Sequence, residues 1–167
     1  RFVSPGTRVA FTYAGSEAAA RALAAETGAE AVRADSADRG AVIAAVAGCG
    51  ALDVLVVNAG TAILGDPLTL DADAVDRMID INVRAPYHAA VAAARKMNEG
   101  GRIIIIGSVN GDRMPFAGGA AYALTKSAVQ GMVRGLARDF GARGITVNAI
   151  QPGPTDSDMN PASGPMA

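Results

Sequence analysis

Tyr122 and Lys126 are four residues apart in Tyr122-Ala123-Leu124-Thr125-Lys126. On a helix that spacing puts a phenol and an ammonium on one face. A free phenol titrates near ~10, too high for a base at neutral pH. A nearby cation favours phenolate, so a Tyr–Lys pair of this kind can shuttle a proton. A shift of ~3 units in such a phenol corresponds to roughly 4 kcal/mol of preferential phenolate stabilisation. Taken alone, the pair is also what an ordinary helix surface presents. Other polar residues give it meaning.

Asn58 closes an apolar run inside Asn58-Ala59-Gly60. Ser108 closes another inside Gly107-Ser108, and Pro152-Gly153 closes a third. Asn82 falls at an expected break between two helical pieces. In an open parallel sheet, ligands bind outside the C-terminal ends of the strands. These groups are therefore expected to converge on one crevice.

The elements that must position them alternate. Val9–Tyr13 is β-prone, and Ser16 is placed to cap a helix reaching Thr27, with Gly28 as its stop. Ala31–Ala34 is the next strand, followed by a helix from Asp38 to Ala47 that ends at Gly48. Val54–Val57 is apolar throughout and Arg102–Ile106 is apolar after its opening arginine, as strands buried on both faces would be. Helical pieces are expected at Asp73–Ile81 and from Pro86 to Met97. Between Ala120 and Phe140, Val129, Met132, Val133, Leu136, Ala137 and Phe140 form one apolar face at period 3.6. The other side carries Ala121, Ala128, Gly131 and Gly135, and Ile145–Ile150 is the last strand. Strands alternating with helices imply right-handed βαβ units and a parallel, doubly wound α/β sheet. One domain is expected over residues 1–167.

In this order and context, Asn58-Ala59-Gly60, Asn82, Ser108, Tyr122-x-x-x-Lys126 and Pro152-Gly153 resemble the short-chain dehydrogenase/reductase family across the chain. Ser108 lies fourteen residues before Tyr122, one more than in many relatives, which reads as a one-residue loop insertion. The resemblance implies that Tyr122 exchanges a proton with a carbonyl oxygen while Ser108 hydrogen-bonds that oxygen. It implies that Lys126 favours the Tyr122 phenolate and holds the nicotinamide ribose, and that Asn82 keeps a helix kink open and supports a water relay. Asn58, Ala59 and Gly60 would lie against the cofactor, and Pro152, Gly153 and Ser157 would border the nicotinamide. Asp35 and Ser36 resemble the family's adenine-contacting pair, and also suit a helix cap.

Thr12-Tyr13-Ala14-Gly15-Ser16 has no acid to bind an NAD ribose hydroxyl. Tyr13 and Ser16 suit a 2′-phosphate, with Ser16 at a helix N-terminus, so NADP(H) is favoured over NAD(H). Segments such as Gly107–Pro115 and Gln151–Pro154 carry a narrower likeness to bacterial cyclic-di-GMP-binding proteins of biofilm dispersal. Two functions follow: hydride transfer between NADP(H) and a small carbonyl or alcohol, or regulation by binding cyclic di-GMP. The family also implies a homodimer or homotetramer paired through the helices at Pro86–Met97 and Ala120–Phe140.

The family's G-x-x-x-G-x-G turn is absent, and Gly48-Cys49-Gly50 cannot replace it because it follows a helix. In the order 3-2-1-4-5-6 the absent first strand lies between the second and fourth. The sheet is therefore expected to lack its first strand with the glycine-rich loop, and its last strand. Apolar edges would lie open, and residues 1–167 alone are expected to be a poor or inactive enzyme. Arg1-Phe2-Val3 reads as the end of a helix, and Asn160–Ala167 as loop.

Composition limits the rest. Half the chain is hydrophobic and 19% is charged, which excludes a disordered chain. A net charge of -1 offers no footprint for nucleic acid. No run reaches the ~18 apolar residues of a membrane span. The one cysteine, Cys49, excludes an internal disulfide framework and favours a reducing cytoplasm. The one histidine, His88, reads as structural or exposed, and no metal site is expected. Arg113 and Met114 precede Tyr122 in a loop and suit either substrate contact or solvation.

Overall fold

Short apolar runs alternate with helix-forming runs along the chain, and each strand runs parallel to the neighbour it pairs with. The computed structural model describes residues 3–157, 160, 161 and 163. The helix end expected at Arg1-Phe2 and most of the C-terminal loop lie outside the described residues. The elements are β1 (Ala10–Tyr13), α1 (Glu17–Thr27), β2 (Glu30–Arg33), α2 (Arg39–Gly48) and β3 (Leu52–Val57). Then come α3 (Ala72–Ile79), α4 (Ala85–Lys96), β4 (Met97–Ile106), α5 (Ala120–Phe140) and β5 (Thr146–Ile150).

β1 pairs with β2, and β3-β4-β5 form a second ladder. This is the parallel α/β arrangement expected. β1 and β3 share no ladder among the described residues. In the doubly wound order one more strand stands at that place.

Local chemistry sets the helix ends. Gly28 stops α1 in the left-handed region, at φ 74°. The Asp38 carboxylate caps α2 by accepting from the Gly40 and Ala41 N–H groups at 2.7 and 3.1 Å. One expectation is corrected here: Ser16 precedes α1, but its hydroxyl makes no capping bond. α2 ends at Gly48 as expected, and the chain turns at Gly50, φ 75°.

The core lies on one face of the three-stranded sheet. Ile103 and Ile105 of β4 are buried and pair with Leu55 and Val57 of β3 and with Val147 and Ala149 of β5. The apolar face read in α5 packs on this row through Val129 and Leu136, and α4 packs there through Ala89, Ala90 and Ala93. Full burial of one such side chain contributes about 1.5–3 kcal/mol. The opposite row is open: Val54 is 47% exposed and Ile150 52%. The expectation that β3 and β4 are buried on both faces is therefore corrected. Unbroken apolarity in a strand records what a position tolerates, whereas burial needs a covering layer.

A further correction concerns Asn82. The chain does not break there. α3 and α4 are joined by a π-helical turn, Asp80–Arg84, with Asn82 buried inside it. One extra residue per turn rotates the side chains without ending the helix.

Candidate active site

The C-terminal ends of β3, β4 and β5 and the first turns of α5 enclose one polar cluster. Lys126 is only 7% exposed, and its Nζ donates to the carbonyl of Ile106, the last residue of β4, at 3.1 Å. The same Nζ lies 5.8 Å from the centre of the Tyr122 ring. Burial lowers the Lys126 pKa below the usual lysine value. Gly60 borders this cluster. A Cβ there would lie 3.5 Å from both Lys126 Nζ and Asn82 Oδ1, so any side chain would fill the space between them.

Asn82 is held on three sides. Its Oδ1 accepts the Thr61 N–H at 2.9 Å, and its Nδ2 donates to the Thr61 carbonyl at 2.8 Å and to Thr125 Oγ1 at 3.0 Å. Thr125 is fully buried and donates in turn to the Tyr122 carbonyl at 2.8 Å. The π turn is thereby bonded to both the loop after β3 and the second turn of α5. Thr61 and Thr125 were not singled out in the sequence. Their signal was slight: a threonine following Asn58-Ala59-Gly60, and one inside the Tyr–Lys spacing.

Ser108 is buried and caps a short 3-10 turn, Val109–Gly111. Its Oγ accepts from the Asn110 N–H at 3.2 Å, which leaves the hydroxyl proton for another acceptor. The turn is anchored to β5, since Gly107 N–H donates to Ile150 O at 2.7 Å and Val109 N–H to Pro152 O at 3.1 Å. It also presses on α5. A Cβ on Gly111 would lie 2.8 Å from the backbone carbon and oxygen of Lys126. Asn58, Ala59 and Gly153 are exposed beside this cluster, and Pro152 is half-buried.

Tyr13, Ser16, Asp35 and Ser36 form a separate group at the ends of β1 and β2. The Tyr13 carbonyl accepts the Ala34 N–H at 2.8 Å, which sets the two strand ends side by side. Asp35 accepts the Ala37 N–H at 2.9 Å and pairs with Arg77 of α3 at 2.9 Å. These contacts, the Ala37 N–H foremost, hold its carboxyl below the usual range. The cap of α2 is Asp38, so Asp35 tightens its own turn instead. Arg21 pairs with Glu17 at 2.6 Å, and that contact raises its pKa. Ser157 is exposed, and its hydroxyl accepts from the Asn160 N–H at 3.3 Å. His88 is half-buried with its ring edge-on to Tyr87, centroids 5.5 Å apart. Cys49 donates to the Ala45 carbonyl at 3.4 Å.

The family model for short chain dehydrogenases matches residues 1–166. The chain is a member of that family. The short-chain dehydrogenases it resembles include a cyclic-di-GMP-binding biofilm dispersal mediator protein of Escherichia coli K12. That protein is 68% identical over 166 residues, which are 99% of this chain and 70% of its own length. An oxidoreductase, UcpA, of Salmonella typhimurium is 40% identical over 74% of this chain, but the match spans 49% of that protein. Among solved structures, BdcA in complex with NADPH superposes with a TM-score of 0.96 at 67% identity, covering 99% of this chain and 68% of that one. A short-chain dehydrogenase from Burkholderia cenocepacia in complex with NADP gives 0.90 at 47% identity, covering 96% of this chain and 69% of that one. These neighbours place the fold among the Rossmann-like short-chain dehydrogenases.

The residues present fit the nicotinamide-ribose half of such a cofactor. Gly60 leaves an open space, Lys126 has donors beyond the one given to Ile106, and the Ser108 hydroxyl proton is uncommitted. No glycine-rich cradle for the pyrophosphate follows a strand among the described residues.

Proposed function

We propose that this chain carries the proton-transfer centre of an NADP(H)-linked carbonyl reductase or alcohol dehydrogenase. One observation carries the reading: the buried Lys126 ammonium sits between the Tyr122 ring, the Ile106 carbonyl and a space kept open by Gly60. The cofactor, when bound, supplies or accepts the hydride at the substrate carbon. In the reducing direction Tyr122 donates its hydroxyl proton to the carbonyl oxygen, so ketone, hydride and proton give an alcohol. Ser108 donates a hydrogen bond to the same oxygen as negative charge develops. Lys126 stabilises the charge left on Tyr122, and Asn82 holds the helix turn against α5. NADP(H) is preferred because Tyr13 ends β1 and Ser16, its hydroxyl unspent in capping, directly precedes α1, the place where a 2′-phosphate would lie. The complexes of related proteins with NADPH and NADP support this. The test is NADPH oxidation over a carbonyl panel by the protein at its full natural length. Tyr122→Phe is expected to lower turnover by about 10²–10⁴-fold without weakening NADPH binding. Undiminished turnover in that variant, or none in the natural protein, overturns the reading.

A second reading rests on the 68% identity to a protein named for binding cyclic di-GMP. In it, the crevice at the strand ends takes that dinucleotide. Calorimetric titration with and without NADPH tests this; no heat in either condition removes it. A homodimer or homotetramer paired through α4 and α5 belongs to both readings. Their shared groove is lined by Tyr87, His88, Gly131 and Gly135. Sedimentation of Gly135→Arg, expected monomeric, checks the pairing. A cytoplasmic setting fits the absence, among the described residues, of any helix long and apolar enough to cross a membrane.

A further inference from the structure

The row that begins with Tyr122 and Lys126 on α5 continues one turn further to Gln130. Gln130 Nε2 donates to Asp112 Oδ1 at 2.8 Å and to Gln151 Oε1 at 2.9 Å. Gln151 Nε2 donates to the other Asp112 oxygen, Oδ2, at 3.2 Å. The three side chains close a ring. Asp112 directly follows the turn that Ser108 caps and donates its N–H to Val109 O at 3.0 Å. Gln151 directly precedes Pro152, whose carbonyl accepts the Val109 N–H.

We propose that Asp112, Gln130 and Gln151 are positioning residues that clamp the Ser108 turn to α5 and to the end of β5. The proposal rests on the oxidoreductase reading above. The ring joins the three segments whose relative placement sets Ser108 against Tyr122: the turn after β4, the helix bearing Tyr122 and Lys126, and the exit of β5. It lies outside a packed seam. Gly111 touches the Lys126 backbone there, and Ser127 Oγ donates to Gly111 O at 2.5 Å. That seam fixes how closely the turn approaches α5. It leaves sliding along the helix to be opposed by the two bonds from Gln130, with the Gln151–Asp112 bond bracing their acceptors against each other. Each bond is exposed and weak in isolation. Both bonds to the Asp112 carboxylate are charge-assisted, and the ring keeps every amide in a single orientation.

The experiment uses the protein at its full natural length and compares Asp112→Ala, Asp112→Asn and Gln130→Leu. It reads steady-state kinetics, NADPH affinity, and amide hydrogen exchange at Val109 and Asn110. Displacing a reacting group by about 1 Å costs on the order of 10²-fold, so Asp112→Ala is expected to lower kcat by about 10- to 100-fold. NADPH affinity stays unchanged, and Asp112→Asn, which keeps one acceptor, recovers part of the loss. Adding Asp112→Ala to Ser108→Ala gives no further loss, because the clamp acts through Ser108. Exchange at Val109 and Asn110 accelerates in Asp112→Ala. Unchanged kcat in an active protein, losses that multiply in the double variant, or unchanged exchange at both amides overturns the proposal. If the natural protein turns over no carbonyl, the oxidoreductase reading fails. The exchange measurement still decides whether the clamp holds the turn.

Discussion

Asn82 and Thr61 are bonded to each other twice, the amide side chain of one matching the backbone N–H and carbonyl of the other at 2.9 and 2.8 Å. A side chain thus reproduces the pairing of a strand inside a helical turn, and the loop after β3 is locked to the site. Asn82→Ala removes both bonds and the one to Thr125 Oγ1. Leaving these buried or half-buried groups unpaired is expected to cost about 2–4 kcal/mol. Chemical denaturation measures it; a loss within experimental error refutes the account.

Lys126 gives a prediction with a pH sign. Its folded-state pKa lies below the ordinary 10.5 because burial disfavours the charge. Below that folded pKa the wild type therefore carries the full penalty of a buried ammonium. The penalty is relieved as pH rises through the folded pKa toward 10.5, since the unfolded chain then binds more protons. Lys126→Met never has this penalty. The stability of the wild type relative to Lys126→Met is expected to rise across that alkaline window. A flat difference, measured by urea midpoints at each pH, removes the burial argument. Turnover is expected to be lost in the variant at every pH.

Two glycines predict opposite signs. Gly111→Ala places a Cβ 2.8 Å from backbone atoms of Lys126, which cannot rotate away. It is expected to destabilise the fold by about 1–3 kcal/mol. Gly135 is mid-helix with nothing within 4 Å of a Cβ, so Gly135→Ala is expected to stabilise the monomeric chain by about 0.5–1 kcal/mol. Thermal midpoints in one buffer, below the concentration of self-association, compare the two. Equal shifts contradict the contact geometry.

The helix caps separate stability from ligand binding. Asp38→Ala loses two accepted N–H bonds at the start of α2 and is expected to cost ~1 kcal/mol. Ser16→Ala loses no capping bond, so the midpoint should hold while NADPH affinity falls and NADH affinity does not. Fluorescence titration of both cofactors alongside melting decides it. A stability loss in Ser16→Ala equal to that in Asp38→Ala places the hydroxyl in the cap after all.

Much of the chain was legible without coordinates. Strand and helix order follows from local apolar runs and from Gly28 and Asp38, whose effects reach only a few residues. The Tyr122–Lys126 row follows from helical spacing alone. The convergence of Asn58, Ser108 and Pro152 follows from one rule, that parallel strands end on the same edge. What lay beyond reading depends on partners distant in sequence. Asn82 looked like a break because a π turn has no local signature, and only Thr61 and Thr125 explain the burial of its amide. Val54 and Val56 looked fully buried because an apolar residue is compatible with both a covered and an open face. Gln130 carries no signal in the sequence, and only the fold brings Asp112 and Gln151 to it. Local pattern determined which elements form and which faces they offer. Only the tertiary structure, by choosing contacts between residues far apart in the chain, decided which polar groups meet and which apolar rows are covered.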